Sequence, residues 1–382
     1  MSRIYFDHNA TTPLRPEVLQ AMQPYLAERL GNPSSLHAWG REARAAVEAA
    51  RATVAGTLRC APEEVCFTGG GTEAINWALK GVHSGRGAGG RIVTTQIEHK
   101  AVLRVCAWLE RQGCTVARVG VDAHGVVDAA EVAGAVDDRT VLISVMHANN
   151  ETGSLQPVCA IGQLAWERGI PFHVDAVQTA GKVPVHVDEV CADLVSISGH
   201  KVNGPKGVGA LYVRRGMALE PLVHGGGQER GQRGGTENVA GIVGLGRALE
   251  LCAAEAAAAP RPVQALRDRL EQGLLERLDG LRLNGHPTRR LDNTLNLSFA
   301  GVDSEDLVLG LDLCGIAAAS GSACAAEERE PSHVLLAMGL EAHHAQSAVR
   351  FSLGWGNTEE QVDEALRLIP GVVERLRRRS SL

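Results

Sequence analysis

Between residues 64 and 215, short apolar runs alternate with amphipathic stretches. The runs Glu64–Thr68, Arg91–Thr95, Thr115–Val119, Val141–Met146, Pro171–Val174, Leu194–Ser198 and Gly209–Val213 read as seven strands. Several are apolar without alternation, as in strands covered on both faces. The intervening Glu73–Val82, Ala101–Arg111 and Ala160–Arg168 space their apolar positions as helices do. Strand and helix in alternation predict an α/β fold with a mostly parallel seven-stranded sheet and crossover helices.

After Gly235 the pattern changes. An alanine-rich helical stretch, Val239 to Ala259, leads through Pro260-Arg-Pro to a further helix ending near Leu278. A strand (Thr294–Phe299), a helix from Ser304, strands at Ile316–Ala319 and Val349–Leu353, and a last helix from Thr358 follow. Shorter elements in mixed order predict a smaller α+β domain. The expected division assigns residues 14–255 to the large domain, and 1–13 with 256–382 to the small one.

Composition removes several classes of function. The 382 residues are 45% hydrophobic and 21% charged, ordinary for a globular protein. A net charge of −6 gives no electrostatic reason to bind nucleic acid, and the basic tail Arg375-Leu-Arg-Arg-Arg reads as a solvated helix end. No apolar run approaches the roughly 18 residues of a membrane span, and the N-terminus lacks the apolar stretch of a signal peptide. Nine scattered cysteines without a Cys-x-x-Cys pair indicate neither zinc nor a disulfide framework, so a reducing cytoplasm is expected.

Candidate chemistry gathers at the predicted strand ends. Lys201, in Ser-Gly-His-Lys, offers an amine suited to Schiff-base formation with an aldehyde, and Asp175, in His173-Val-Asp-Ala-Val-Gln, a carboxylate suited to a pyridinium nitrogen. That pair points to pyridoxal phosphate. Gln178 could bond the ring oxygen, and Ser198 and His200 could help hold the phosphate. Asp175 read alone could equally be a buried carboxylate satisfied by backbone amides. Thr68-Gly-Gly-Gly-Thr-Glu, between a strand and a helix, could cradle an anion through Gly71, Thr72 and neighbouring amides, although a triple glycine can be a plain turn. His99 closes another strand, where it could stack on a ring and move protons or be a satisfied structural histidine. Of Asn149 and Asn150, one could shape the turn while the other reaches cofactor or substrate.

With these residues in place, the sequence resembles the cysteine desulfurases of the class V aminotransferase group, pyridoxal-phosphate enzymes of aspartate-aminotransferase fold. The stretches that carry the resemblance run in order over almost the whole chain. They are Asp7-His-Asn-Ala-Thr-Thr-Pro, Gly31-Asn-Pro-Ser-Ser, Glu98-His-Lys, His147-Ala-Asn-Asn-Glu-Thr-Gly, His173-Val-Asp-Ala-Val-Gln, Ser198-Gly-His-Lys, Gly204-Pro-Lys-Gly, Arg233-Gly-Gly-Thr-Glu-Asn, Ser320-Gly-Ser-Ala-Cys and Val349-Arg-Phe-Ser-Leu-Gly. The branch it most resembles serves iron–sulphur cluster assembly, including the nitrogenase-associated type. The resemblance implies that Lys201 binds the cofactor aldehyde and shuttles protons, Asp175 pairs with the ring nitrogen, Gln178 meets the phenolate and His99 stacks on the ring. Thr72, Ser198 and His200 would bind the phosphate. Thr236 would reach the phosphate in a neighbouring subunit, implying a homodimer. Asn150 and Arg350 would hold the carboxylate of L-cysteine, a task that suits a guanidinium.

Cys324 lies among small residues, Ala317-Ala-Ala-Ser-Gly-Ser-Ala-Cys-Ala-Ala, which suits a loop that moves rather than a packed core. By resemblance Cys324 takes the substrate sulphur as a persulfide and delivers it to a scaffold or other acceptor protein, where it could also ligand a nascent cluster; no resident metal is expected. The alternative is a selenocysteine lyase or another class V carbon–sulphur lyase. Two positions depart from the family pattern: Gly71 stands where alanine is common, and Ala325-Ala-Glu-Glu-Arg-Glu replaces small polar residues after Cys324.

Overall fold

The computed structural model describes residues 3–86, 89–257, 262–321 and 330–380. Its seven-stranded sheet runs in the order Val65–Thr68, Gly209–Val213, Leu194–Ser198, Phe172–Asp175, Thr140–Met146, Arg91–Thr95, Thr115–Val119. Gly209–Val213 is antiparallel to both its neighbours, and every other pairing is parallel. Val65–Thr68, paired only with that reversed strand, therefore runs with the rest. Six strands thus send their C-terminal ends to one edge, where ligands of open α/β sheets bind.

The unbroken apolar runs have a simple cause. Val93, Ile143, Val145, Phe172, Val174, Val195 and Ile197 face a core shared with the helices Ala38–Leu58 and Val239–Ala257. Ile92, Leu142, Leu194 and Leu211 face the opposite core, shared with Gly71–Arg86 and Lys100–Arg111. Successive side chains point to opposite faces, and both faces are covered.

A third apolar core gathers Ile4, Phe6, Leu295, Leu297, Phe299, Val349, Phe351, Val362 and Ile369. Its antiparallel sheet orders Ala319–Ser320, Ala348–Ser352, Thr294–Phe299 and Leu281–Leu283. The single strand expected over Ile316–Ala319 is two. Ile316–Ala317 pairs in parallel with Ile4–Tyr5, and Ala319–Ser320 pairs with Ala348–Ser352. Because Ile4–Tyr5 docks there, the following residues, Asp7 to Thr12, pass close to the strand ends of the large sheet. Among the described residues, no helix is long and apolar enough to cross a membrane.

Candidate active site

Lys201 ends a short 3-10 turn, Gly199–Lys201, directly after the strand Leu194–Ser198. The turn is pinned from both sides. Gly199 N–H donates to the Val208 carbonyl at 3.0 Å, and the His200 carbonyl accepts from Thr12 N–H and Thr12 Oγ1, each at 2.9 Å. Lys201 Nζ donates to the carbonyls of Asn9 and Ala10, the latter at 2.8 Å. Burial, then the Arg350 guanidinium and the Lys182 amine, push the Lys201 amine down to about 7. A large share is therefore neutral near physiological pH, the form that attacks a carbonyl carbon.

Asp175 closes Phe172–Asp175 and is 4% exposed. Burial pushes its carboxyl up to about 6, against the opposing pull of a Val177 N–H bond at 3.0 Å and of Lys201. Its strand is held laterally by His173, whose ring bonds Ser144 Oγ at 2.8 Å and Ser196 Oγ at 2.9 Å. Gln178 donates from Nε2 to the Asn9 carbonyl at 3.0 Å, and its buried Oε1 has no hydrogen-bond partner among the described residues.

His99 caps the helix Lys100–Arg111, Nδ1 accepting from Ala101 N–H at 3.1 Å. Burial, followed by the charge of Lys201, pushes the imidazole down to about 4. The ring is neutral, and with Nδ1 accepting, its proton sits on Nε2. His200, also pushed to about 4 and mainly by burial, meets Thr11 Oγ1 through Nδ1 at 3.2 Å.

The glycine run forms the N-terminal approach to the helix Gly71–Arg86. Gly70 has φ +149°, a conformation that side chains rarely adopt. A Cβ on Gly71 would stand 2.6 Å from Val177 Cγ2, so Val177 takes the room that an alanine methyl would need. Gly69 N–H bonds Glu73 Oε2 at 2.8 Å, and Arg233 Nε meets Glu73 Oε1 at 2.9 Å. That ion pair offsets the carboxylate beside a helix terminus otherwise suited to anions.

One cavity of about 720 Å³ is lined by Gly71, Thr72, His99, Asn150, Asp175, Gln178, Ser198, His200 and Lys201. Arg350, expected at the site, and Thr236, expected to reach a neighbouring subunit's site, both stand apart from this lining. Thr236 is exposed and borders a separate cavity with Arg233 and Asn238. Arg350 lies behind Asn150, donating to its carbonyl at 2.9 Å and to Asp7 Oδ1 at 2.7 Å, while its buried Nε has no partner among the described residues. Cys324 lies outside the described residues. The structure adds contributors that the sequence did not single out: the carbonyls of Asn9 and Ala10, the Asp7 carboxylate on Arg350, and Lys206 in the cavity lining. The signal for the first three was the run of polar residues directly after a two-residue strand.

A depressed amine, a carboxyl raised by burial, a neutral ring and a glycine-rich helix start share one cavity. They match an aldehyde, a pyridine nitrogen, an aromatic face and a phosphate. This is the site of a pyridoxal-phosphate enzyme on an α/β sheet. The family model for aminotransferase class-V matches residues 4–365, and the chain belongs to that family. A cysteine desulfurase IscS of Methanosarcina thermophila is 49% identical over 380 residues, covering 99% of this chain and 94% of that protein. Among solved structures, a NifS-like protein superposes with a TM-score of 0.91 at 41% identity, over 98% of this chain and all of the other. SspA in complex with cysteine gives a TM-score of 0.83 at 38% identity, over 92% and 98% of the two chains. The chain is a pyridoxal-phosphate-dependent enzyme of the cysteine desulfurase group, and these relatives give no support to the selenocysteine lyase alternative.

Proposed function

We propose that the enzyme converts L-cysteine to L-alanine and leaves the sulphur as a persulfide on Cys324. The observation that carries the cofactor half of this reading is the convergence of Lys201, Asp175, Gln178 and His99 on one cavity. The sulphur half rests on Ser320-Gly-Ser-Ala-Cys324 and on the relatives named above. Lys201 would take the cofactor's aldehyde, Asp175 its ring nitrogen and Gln178 its ring oxygen. Thr72, Ser198 and His200 would hold the phosphate, and His99 would lie against the ring. When bound, the cofactor supplies an electron sink for charge developing on the substrate carbons.

The chain's own residues do the rest. Asn150, backed by Arg350, orients the substrate carboxylate. Lys201 Nζ, near neutrality in its pKa, takes and returns protons at the substrate carbons. The Cys324 thiolate attacks the substrate sulphur: an S–S bond forms as the C–S bond breaks, the electron pair stays on carbon, and that carbon is protonated to give alanine. The persulfide then passes to an acceptor thiol or scaffold, with iron–sulphur cluster assembly as the proposed destination. Thr236, exposed on the loop that Arg233 ties to the glycine cradle, would serve a second subunit of a homodimer. Residues 14–255 form the proposed cofactor domain, and 1–13 with 256–382 the domain carrying Cys324; the small sheet's core, separate from those on the two faces of the large sheet, supports that division. The eight described cysteines are all free, which suits a reducing cytoplasm.

The test is alanine release from L-cysteine by wild-type and Cys324→Ala holoenzyme. The variant should keep the cofactor's absorbance and its response to cysteine, while alanine release falls by about 100-fold or more. Near-normal turnover would remove Cys324 from the mechanism.

A further inference from the structure

Glu151 follows Asn150 in sequence but turns away from the cavity that Asn150 lines. It is 2% exposed. Its backbone is fixed: Glu151 N–H donates to Asn149 Oδ1 at 2.9 Å, and its carbonyl accepts from Asn296 Nδ2 at 3.2 Å. Its carboxyl meets two residues far away in sequence. Ser332 Oγ donates to Glu151 Oε2. Gly321 packs against the same oxygen so closely that a Cβ there would lie 3.1 Å from it, and 3.2 Å from Ser332 Cβ. Ser332 also caps the helix His333–Ala337 by accepting from Leu335 N–H at 3.2 Å. Gly321 and Ser332 flank the stretch that carries Cys324; Ser332 is bonded to one oxygen of a buried carboxyl, and Gly321 lies beside the same oxygen. The mechanism above gives this carboxyl no task, and a buried acid is costly to keep unless it is bonded.

We propose that Glu151 is a positioning residue for sulphur transfer, anchoring one flank of the Cys324 stretch through Ser332, with the other flank packed beside it at Gly321, to the turn that presents Asn150 to the substrate. The inference rests on the role proposed for Cys324. The same short turn then faces the substrate on one side and fixes the attachment of the attacking thiol on the other. Geometry of this kind acts on the step in which sulphur is attacked. It should leave cofactor binding alone, because that uses Lys201, Asp175 and His99. It should also leave the first response to cysteine alone, because the turn that presents Asn150 is held by backbone bonds to Asn149 and Asn296 and not by the Glu151 carboxyl.

The experiment compares Glu151→Ala, Glu151→Gln, Ser332→Ala and Ser332→Thr holoenzymes. Readouts are cofactor absorbance, the spectral response to cysteine, and kcat and KM for alanine release. Glu151→Ala and Ser332→Ala should each lower kcat by about 10- to 100-fold, with KM and both spectral readouts near wild type. Glu151→Gln, whose amide oxygen still accepts from Ser332, and Ser332→Thr, which keeps the hydroxyl, should restore most of the rate. The double alanine variant should be no slower than either single one, because the two act through one contact. Wild-type kcat in Ser332→Ala would overturn the proposal even if Glu151→Ala failed to fold. So would loss of kcat and cofactor absorbance together in all four variants, which marks a merely structural carboxyl. A Cys324→Ala enzyme with normal turnover would instead remove the underlying reading, so the two failures are distinguishable.

Discussion

Lys201→Ala should lower cysteine turnover by about 1,000-fold or more and abolish covalent attachment of the cofactor. The expectation follows from how few amines the site contains. Lys201 and Lys206 both line the cavity, but Lys201 sits at the end of a strand with its amine on the Asn9 and Ala10 carbonyls. Those carbonyls orient it, and burial beside Arg350 and Lys182 disfavours its charged form, lowering it to about 7. A neutral amine is the nucleophile toward an aldehyde, so uptake of the cofactor by apoenzyme should rise with pH and level off soon above 7. An exposed lysine would keep gaining until about pH 10.4. Borohydride reduction followed by peptide mass analysis reads the attachment site directly. Attachment at Lys206 in the wild-type enzyme, or an unchanged reducible chromophore in Lys201→Ala, would sink the assignment.

Much of this site was visible in the sequence because its side chains stand at strand ends. Arg91–Thr95, Thr115–Val119, Leu194–Ser198 and Gly209–Val213 have the bounds that their apolar runs predict. Pro171–Val174 instead runs Phe172–Asp175, since Asp175 still pairs in the ladder, opposite Met146 and Ser196. A charged residue after an apolar run reads as a turn, and here the charge belongs to the strand. The helices Pro16–Ala27 and Ala38–Leu58 escaped notice for another reason. Ala38–Leu58 buries Ala43, Val47, Ala50, Val54 and Leu58 at helical spacing, but alanine makes a faint apolar stripe.

What the sequence could not reveal was mostly backbone and long-range pairing. A carbonyl has no signature in a side-chain pattern, so the seats of the Lys201 amine on Asn9 and Ala10 needed the fold. The same holds for Arg350 with Asp7 and for Glu151 with Ser332, each joined across distant parts of the chain. Thr236 was legible only by resemblance, and on a single chain it borders its own cavity. The contacts of Asp7, Asn9 and Ala10 follow from the docking of Ile4–Tyr5 on Ile316–Ala317, which brings the N-terminal polar run to the strand ends. Local spacing contains no information about that docking.

Glu229→Ala should destabilise the fold by about 3 kcal/mol, the low end of the cost of breaking a buried ion pair, because the half-exposed Glu48 stays on Arg51. Glu229 and Arg51 side chains are each 3% exposed and meet in a bidentate pair, Nη1 to Oε2 at 2.8 Å and Nη2 to Oε1 at 2.9 Å. The remaining valences are used as well. Phe67 N–H donates to Glu229 Oε2 at 2.8 Å, Arg51 Nη1 donates to the Val65 carbonyl at 2.7 Å, and the guanidinium lies 4.8 Å from the Phe67 ring centroid. The pair therefore binds the strand that leads into the glycine cradle to the turn Gln228–Gly231 that leads toward Arg233 and Thr236. That turn is strained. Glu229 and Arg230 have φ of 45° and 57°, left-handed conformations that cost non-glycine residues about 1–3 kcal/mol each. Removing the carboxylate leaves Arg51 with the half-exposed Glu48, whose oxygens lie 3.1 Å from Nε and 3.3 Å from Nη2, and with the Val65 carbonyl, and it orphans Phe67 N–H. Urea denaturation of wild-type, Glu229→Ala and Glu229→Gln holoenzymes measures it. The glutamine variant, which can keep the Phe67 bond, should lose less than the alanine variant. An alanine variant within about 1 kcal/mol of wild type would mean that water reaches Arg51 and that the turn is held by other contacts.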